Sequence, residues 1–357
     1  MKKRINSLKS NLRKKKCLPY LVSDLNNIRY LTGFAGSYAA LVVTEGDSFL
    51  ISDSRYEEYA RSILSKQVKF VLQSAKFKEI LKELCKNLNI KTLFVEDNNL
   101  PVASFFELKK FLHKIKLMPG GNEVNFLRMV KDEEEIKILT EAAALTDRCF
   151  SHLISMIKPG ITEWDISVEI EYFYRKNGCR KTSFDSIVAS GAASSMPHYE
   201  PDMNKKIMPG DILLVDMGCE YQGYNSDLTR TFFINSVDPE LEKIYMVVKE
   251  AQKRALEAVK PGISADRLDR VARGYISEAG YGANFGHGLG HGYGVEIHEL
   301  PSIRKNGEIV LKKNMTITIE PGIYLPGKGG VRIEDMVLVT ASGGTALTKS
   351  NRDLTVL

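Results

Sequence analysis

Short apolar runs that end at a carboxylate recur along the second half of the chain. DILLVDMG at 211–218 is one such run, ended by Asp216 and a glycine, which predicts a buried strand. NSDLTRTFFI at 225–234 follows it, and a period of two places Asp227 and Thr229 on one strand face. The glycine-containing connection between the two runs predicts a hairpin that brings Asp216 and Asp227 together.

The same pattern returns later in the chain. MTITIEPG at 315–322 alternates, so that Thr318 and Glu320 share a face. VRIEDMVLV at 331–339 places Arg332 and Glu334 on a common face. Charged side chains are rarely buried unless they are paired or bound to metal. The four strand-end carboxylates therefore indicate either buried ion pairs or a metal site.

A glycine-rich stretch, FGHGLGHGYGVEIHELP at 285–301, lies between these two patterns. Its glycines exclude a stable helix, and an extended segment with a bare glycine face predicts close approach by another strand or a ligand. A period of two places His287 and His291 on the same face, whereas His298 would point the other way unless the chain bends near Gly292–Gly294. This density of imidazoles indicates a metal or proton-transfer site.

The charges of these residues favour a pair of divalent cations. Four carboxylates carry four negative charges, and His291 would bind a metal as a neutral ligand. Oxygen-rich sites with one imidazole suit manganese, cobalt, iron or zinc, and a water shared between two such cations becomes a hydroxide nucleophile near neutral pH.

The second half of the chain also nearly repeats itself. IKPGIT at 157–162 is echoed by VKPGIS at 259–264, and the last residue of each copy is expected to cap a helix. Asp216 and Glu320 then end corresponding strands. Each copy would therefore supply one hairpin and two carboxylates. The repeat predicts a domain with pseudo-two-fold symmetry and a site near its axis.

The first part of the chain has a strand–helix rhythm without a catalytic constellation. We expect a hairpin of Ala39–Val43 with Ser48–Ile51 and a further strand at Lys91–Val95. Helices are expected at Arg55–Leu64, at Phe77–Leu88 and near Ser104–Lys114. The breaker cluster Pro119–Asn122 predicts a junction between domains at 1–121 and 122–357. The fold class is α/β (α+β).

Composition is typical of an ordinary globular protein, with 43% hydrophobic and 26% charged residues among 357. The net charge of +6 is concentrated before residue 20, where a first amphipathic helix with a solvated basic face is expected in preference to an arm for nucleic acid or membrane. No apolar run approaches the ~20 residues that span a bilayer. Five scattered cysteines without CxxC spacing indicate a reduced, cytoplasmic protein.

Taken together, the motifs resemble those of the "pita-bread" metallopeptidases, peptidase family M24, which include methionine aminopeptidase, aminopeptidase P and prolidase. The segments that match are VDMG, YNSDLTRTF, GHGLGHG, IHELP, IEPGIY and VRIED. LTGFAGS at 31–37 and DSRY at 53–56 resemble the N-terminal domain of aminopeptidase P, prolidase and creatinase. The pair Pro197–His198 resembles the Xaa-Pro group of the superfamily.

The resemblance implies a dinuclear metal-dependent Xaa-Pro aminopeptidase that cleaves before proline by means of a metal-bridging hydroxide. Xaa-Pro dipeptidase (prolidase) is the alternative. A metal-free creatinase-like hydrolase or an inactive peptide-binding homologue is disfavoured by the intact ligand set. Manganese is the expected metal, with cobalt, zinc or iron as alternatives. A cytoplasmic homodimer that binds a peptide with proline at its second position, and neither nucleic acid nor membrane, is expected.

The resemblance also implies a role for each site residue. The expected metal ligands are Asp216, Asp227, His291, Glu320 and Glu334. Glu320 would also act as general base, while His198 and His298 would flank the substrate and move protons. His287 and Tyr324 would support the site from outside. Arg332 would hold the Glu334 carboxylate by charge-assisted hydrogen bonds, unless it is a surface residue on an edge strand.

Overall fold

The computed structural model of the protein describes residues 2–357, in two compact units that divide after Arg128. The boundary expected after residue 121 falls before a short helix, Glu123–Arg128, that belongs to the first unit. Lys15 Nζ lies 2.5 Å from the Glu123 carboxylate, and Arg128 Nη1 donates to Asn27 Oδ1 at 2.9 Å. These polar contacts fix the helix to the first unit, a feature that a breaker cluster in the sequence does not reveal.

The first unit is built on a six-stranded mixed sheet with the order β4-β3-β2-β1-β5-β6. Its strands are β1 Tyr20–Val22, β2 Ala40–Val43, β3 Ser48–Ser52, β4 Val68–Leu72, β5 Thr92–Val95 and β6 Lys116–Pro119. Its helices are α1 Lys2–Lys15, α2 Leu25–Thr32, α3 Glu57–Ile63, α4 Phe77–Asn87, α5 Val102–Phe111 and α6 Glu123–Arg128. The predicted hairpin is confirmed, because β2 and β3 pair in antiparallel register with Val43 opposite Ser48.

Helix α1 confirms the predicted amphipathic helix at the basic start of the chain. Ile5, Leu8 and Leu12 recur at helical spacing and are fully buried. Lys9 departs from the expectation of a solvated basic face, because it is buried on the same side. Its Nζ donates to the carbonyl oxygen of Gly46, which satisfies the buried ammonium group.

The second unit consists of two similar halves. Its helices are α7 Glu133–Met156, α8 Glu163–Lys176, α9 Pro239–Ala258 and α10 Ala265–Glu278. The strands of the first half are β7 Lys181–Thr182, β8 Ile187–Ser190, β9 Ile212–Met217, β10 Cys219–Tyr221, β11 Tyr224–Asn225 and β12 Leu228–Phe233. Those of the second are β13 Gly290–Gly292, β14 Glu299–Ile303, β15 Thr316–Ile319, β16 Gly322–Leu325, β17 Gly329–Arg332, β18 Asp335–Val339 and β19 Gly344–Ala346.

Matching hydrogen bonds confirm the internal repeat. The amide of Gly160 donates to a carbonyl at position 207 at 2.8 Å, and the amide of Gly262 donates to one at position 311 at 2.9 Å. Thr162 caps α8 through the amide of residue 165, and Ser264 caps α10 through the amide of residue 267, as predicted. In each half, a fourteen-residue helix therefore begins directly after its own copy of the repeated loop.

Two sheets of the second unit carry the predicted carboxylates. Their strand orders are β12-β9-β8 and β14-β13-β15-β18-β19. Strand β12 meets the segment from β17 to β18, where the amide of Glu334 donates to the carbonyl of Thr229 at 3.1 Å and the Thr231 hydroxyl donates to the carbonyl of Arg332 at 3.0 Å. The strand ends from both halves consequently converge on one place. Among the described residues, no helix combines the length and the apolar character needed to cross a bilayer.

Candidate metal centre

The two hairpins present their carboxylates in corresponding places. In the first, β9 and β12 pair with Asp216 opposite Thr229, and Asp227 comes just before β12. In the second, β15 and β18 pair with Ile319 opposite Asp335, so Glu320 and Glu334 lie just outside the paired ends. The connection between β9 and β12 contains a small ribbon of its own, β10–β11, which the sequence pattern predicted only as a short turn.

The strand ends converge with His291 on one cluster. A ligand atom from each of Asp227, His291 and Glu334 lies within 4.8 Å of the other two. His291 Nε2 is 3.5 Å from Asp227 Oδ2 and 3.3 Å from Glu320 Oε1. Asp216 joins them in lining the same cavity. The structure thus brings together all five residues expected to bind metal.

Two oxygen atoms of this cluster test whether a cation fits. Asp216 Oδ1 and Glu334 Oε1 are buried and find no hydrogen-bond partner among the described residues. An unsatisfied buried acceptor costs about 1–3 kcal/mol, and more when it is charged. Since every donor atom in the cluster is a carboxylate oxygen or an imidazole nitrogen, the set suits divalent metal ions.

The electrostatics of the cluster favour the same conclusion. Burial, reinforced by neighbouring carboxylates, raises the pKa of Asp227 and of Glu334 well above the usual range. Burial also raises the pKa of Glu320 to about 7, against the opposing effect of the Arg332 guanidinium. The raised pKa values of Asp227, Glu320 and Glu334 mean that these carboxyls favour the protonated form unless cations neutralise them.

His291 is oriented as a neutral ligand. Its Nδ1 lies 3.1 Å from the carbonyl of Gly292, which can only accept, so Nδ1 carries the proton and donates. Burial lowers the pKa of His291 and so favours the neutral imidazole. The unprotonated Nε2 therefore faces the carboxylates, as a metal ligand requires.

Arg332 supports the carboxylates in a different way from the one predicted. Its Nη2 donates to Asp216 Oδ2 at 2.6 Å, and its Nε donates to the Thr229 hydroxyl at 3.1 Å. That hydroxyl donates in turn to Glu334 Oε2 at 2.6 Å. The expected direct contact from Arg332 to Glu334 is therefore wrong, because Thr229 stands between them. A period of two from Asp227 was the signal that could have identified Thr229.

His287 and Tyr324 extend this network. His287 Nδ1 donates to the carbonyl of Gly288 at 2.8 Å, so its Nε2 accepts from the Tyr324 hydroxyl at 3.0 Å. The Tyr324 oxygen also accepts from Arg332 Nη1 at 2.9 Å. Burial lowers the pKa of His287 to about 4, which keeps the ring neutral and able to accept. Both residues therefore contact Arg332 or its partner and lie outside the carboxylate cluster.

The chain bends just after His291, and this bend brings His298 to the cavity. The register of β13 against β14 shifts between His291 and Gly292, and the chain bends over residues 294–298. The rings of His291 and His298 lie 4.4 Å apart between centroids and are nearly perpendicular. Burial, together with the neighbouring His291, lowers the pKa of His298, so this imidazole is neutral at neutral pH.

The glycine stretch is shorter as a strand than its pattern predicts, since only Gly290–Gly292 pair. The close approach expected at its bare face is confirmed there. A Cβ at Gly290 would lie 2.1 Å from the carbonyl oxygen of Thr318, and one at Gly292 would lie 2.2 Å from that of Leu300. Neighbouring strands therefore occupy the glycine face.

A cavity of about 530 Å³ opens over the cluster. Its lining includes His198, which lies exposed on the loop after the 3-10 turn Gly191–Ser195, and the apolar side chains of Phe184 and Ile187. Arg304 also lines it, and the sequence analysis missed this residue. The available signal was again a period of two, because Ser302 pairs with His291 and Arg304 follows on the same strand face.

Family models match both parts of the chain, and relatives of known name match nearly its whole length. A model of "Metallopeptidase family M24" matches residues 137–341, and one of the "Creatinase/Prolidase N-terminal domain" matches residues 4–130. An Xaa-Pro dipeptidase of Pyrococcus horikoshii is 38% identical over 94% of this chain and 93% of its own length. The solved structure of an Xaa-Pro dipeptidase from Bacillus anthracis has 37% identity, covers 99% of both chains and superposes with a TM-score of 0.96.

A solved structure named X-Pro aminopeptidase, from Thermotoga maritima, is also similar, at 35% identity over 99% of both chains with a TM-score of 0.90. The family model covers more than half of the chain, and the strand-end carboxylates, the internal repeat and the buried imidazole all lie within it or beside it. This protein therefore belongs to metallopeptidase family M24, with a creatinase/prolidase-type N-terminal domain.

Proposed function

We propose that this chain is an Xaa-Pro dipeptidase that binds two divalent cations. The relatives described above favour this alternative over the Xaa-Pro aminopeptidase that we expected first, since two of the three bear the dipeptidase name. One observation in the structure carries the proposal. The cavity over the carboxylate cluster is lined by an exposed arginine whose guanidinium has no ion pair or hydrogen bond among the described residues, and we infer that it binds the free carboxylate of a dipeptide.

That arginine is Arg304. Of the two arginines in the cavity lining, Arg332 is buried and donates to Asp216, Thr229 and Tyr324. Arg304 is exposed and makes no ion pair or hydrogen bond through its guanidinium to the described residues. A planar guanidinium matches a carboxylate in a bidentate contact. A longer peptide has no carboxylate at that point, so this contact selects for the dipeptide.

The metal ions would be held by Asp216, Asp227, His291, Glu320 and Glu334. We propose manganese, because four carboxylates and one imidazole form a mostly hard donor set. When bound, such a pair of ions supplies an activated water nucleophile and polarises the scissile carbonyl.

Residues of the chain would then move the protons. Glu320 lines the cavity, and its Oε1 lies 3.3 Å from His291 Nε2 in the carboxylate cluster, so we assign it as the general base. His298, held neutral beside His291, would donate to the developing oxyanion. His198 would approach the substrate from the loop that faces the cluster. Thr229, Arg332 and Tyr324 keep the carboxylates in place.

We further propose a cytoplasmic homodimer. All five cysteines are unpaired, which supports a reducing compartment. The dimer rests on the family resemblance.

We expect Arg304→Ala to raise KM for an Xaa-Pro dipeptide by about 10–100-fold, because a hydrogen bond to a charged group contributes about 1.5–3 kcal/mol. For the same dipeptide with a C-terminal carboxamide, wild type and variant should give equal KM values, since no carboxylate is present to bind. Steady-state kinetics on both substrates measure this difference. Lys305→Ala, which removes an exposed cation next along the chain, serves as the control.

The same kinetics decide between the two activities. Hydrolysis of Xaa-Pro and not of Xaa-Pro-Yaa by the wild-type enzyme supports a dipeptidase. Faster hydrolysis of the tripeptide would contradict it and support the aminopeptidase.

His298→Ala and His198→Ala are each expected to lower kcat by about 10²-fold, as for loss of a proton-transfer group or an oxyanion donor. Neither change should alter the metal content, because neither residue belongs to the carboxylate cluster. Elemental analysis of each purified variant provides this check. Loss of metal from the His298 variant would place that residue among the metal ligands and contradict its assignment.

A further inference from the structure

The turn between His291 and His298 fixes two imidazoles of the site at once. Its first carbonyl, that of Gly292, accepts from His291 Nδ1, and its last residue is His298 itself. The ring contact of 4.4 Å between the two histidines depends on the path of this turn. The contacts that hold the turn in place therefore set the orientation of the His298 ring toward a substrate.

One side of the turn is held by Asn225, two residues before Asp227. The Asn225 amide donates to the carbonyl of Gly294 at 2.8 Å. Its side-chain Nδ2 donates to the carbonyls of Gly294 and Val295 at 3.1 and 2.9 Å. These bonds tie the turn to the first half of the unit.

The other side is held by a buried ion pair. Lys131 Nζ lies 2.7 Å from Glu299 Oε1, and the two side chains are only 1% and 3% exposed. The amide of Glu296 lies 3.4 Å from Glu299 Oε2, which links the pair to the turn. A Cβ at Gly294 would come within 2.6 Å of Glu299 Oε1 and 3.2 Å of Lys131 Cε. The turn therefore closes directly over the pair, and a side chain at Gly294 would displace the ends of the Glu299 and Lys131 side chains.

Such a pair contributes little to stability by itself. Removing two charges from water costs about as much as their attraction returns, and well-packed apolar replacements are often neutral or stabilising. Glu299 of the pair is the residue next to His298, whereas neither Lys131 nor Glu299 lines the cavity. The location of the ion pair beneath the turn, more than its contribution to stability, indicates a role in the site.

We propose that Lys131 and Glu299 are positioning residues that set the orientation of His298 for the reaction. This inference rests on the proposed function for its kinetic readout. Neither residue touches the substrate. Lys131 forms an ion pair with Glu299, and Glu299 accepts a hydrogen bond from the turn. His298, the residue before Glu299, lines the cavity.

Lys131→Met tests the proposal, since it leaves the Glu299 carboxylate buried without its cation. We expect kcat for an Xaa-Pro dipeptide to fall by about 10–100-fold, as when an outer support of a metal site is removed. KM and metal content should change little. Lys131→Arg, which keeps the ion pair, should retain most of kcat.

The double variant Lys131→Met/Glu299→Leu distinguishes an effect on the position of His298 from an effect on the stability of the fold. With both charges gone, the melting temperature should recover toward that of wild type, while kcat stays low because the turn has lost its anchor. Recovery of kcat together with stability would overturn the proposal, and so would a Lys131→Met enzyme with normal kcat. Leu153→Ala, a cavity-forming change in the core away from the site, controls for general destabilisation.

Crystal structures of the single and double variants give a readout that does not need activity. We expect the His298 ring to be displaced from His291 in both, with the carboxylates unmoved. An undisplaced ring contradicts the positioning role. If wild type hydrolyses no Xaa-Pro dipeptide, the proposed function fails, and the ring position still decides this inference.

Discussion

Glu334→Gln is expected to abolish metal binding and to lower kcat by about 10³-fold or more, because the activated nucleophile and the polarised carbonyl are worth several kcal/mol. The carboxylate oxygen Glu334 Oε1 is buried without a partner among the described residues, and an amide cannot offer the same charge to a cation. Asp227→Asn should behave in the same way, since both carboxyls belong to the same three-residue cluster. Elemental analysis and steady-state kinetics measure the two losses.

The metal-free form of the Glu334→Gln variant should melt at a higher temperature than metal-free wild type at neutral pH. Its amide is neutral at every pH, so folding no longer requires that a buried carboxyl with a raised pKa take up a proton at neutral pH. A single substitution thus stabilises the fold and destroys the activity. Glu134→Gln, at an exposed carboxylate on α7, should change neither property. Normal turnover with two metal ions bound in the Glu334 variant would refute the ligand assignment.

The stabilisation conferred by metal should grow from mildly acidic to neutral pH. In the metal-free protein, burial raises the pKa of Glu320 to about 7, and burial together with neighbouring carboxylates raises those of Asp227 and Glu334 well above their usual range. A carboxyl with a raised folded-state pKa contributes stability at low pH, below its unfolded value of about 4.3 for glutamate, and this stability is lost as pH rises toward the folded value. The metal-free form should therefore weaken across this interval.

Bound cations require the ionised carboxylates, so metal competes with protons and binds more tightly as pH rises. A cation at 1,000 times its Kd stabilises the folded state by about 4 kcal/mol per site. Calorimetry at fixed free metal, from pH 5 to pH 7.5, should show a widening gap in melting temperature between the two forms. A constant or narrowing gap would mean that the carboxylates do not meet at cations.

Features that depend on residues close together in the sequence could be predicted from it. A period of two placed the carboxylates at strand ends, and the duplicated loop predicted two corresponding hairpins. The helix caps at Thr162 and Ser264 followed from residue type alone. Each of these rests on interactions within a few residues or on a repeated segment, where the chain itself carries the information.

Contacts between distant segments could not be predicted in this way. Arg332 was paired with Glu334 because they are neighbours on one strand, whereas its direct ion pair is with Asp216 in the other half. The breaker cluster put the domain boundary after residue 121, before the helix Glu123–Arg128, because the partners of that helix, Lys15 and Asn27, lie far away in the sequence. Lys131 has no motif of its own, and only the fold brings it to Glu299.

The division of the ligands between two halves has a consequence for folding order. Asp216 and Asp227 share one hairpin, and Glu320 and Glu334 share the other, so each half can form its own pair early through near contacts. The proposed ligand set is complete only when the halves dock, which requires contacts between residues far apart in sequence. If these residues bind metal as proposed, a complete site forms only after the halves have docked, and a bound cation would then favour chains in which both halves have closed on one another.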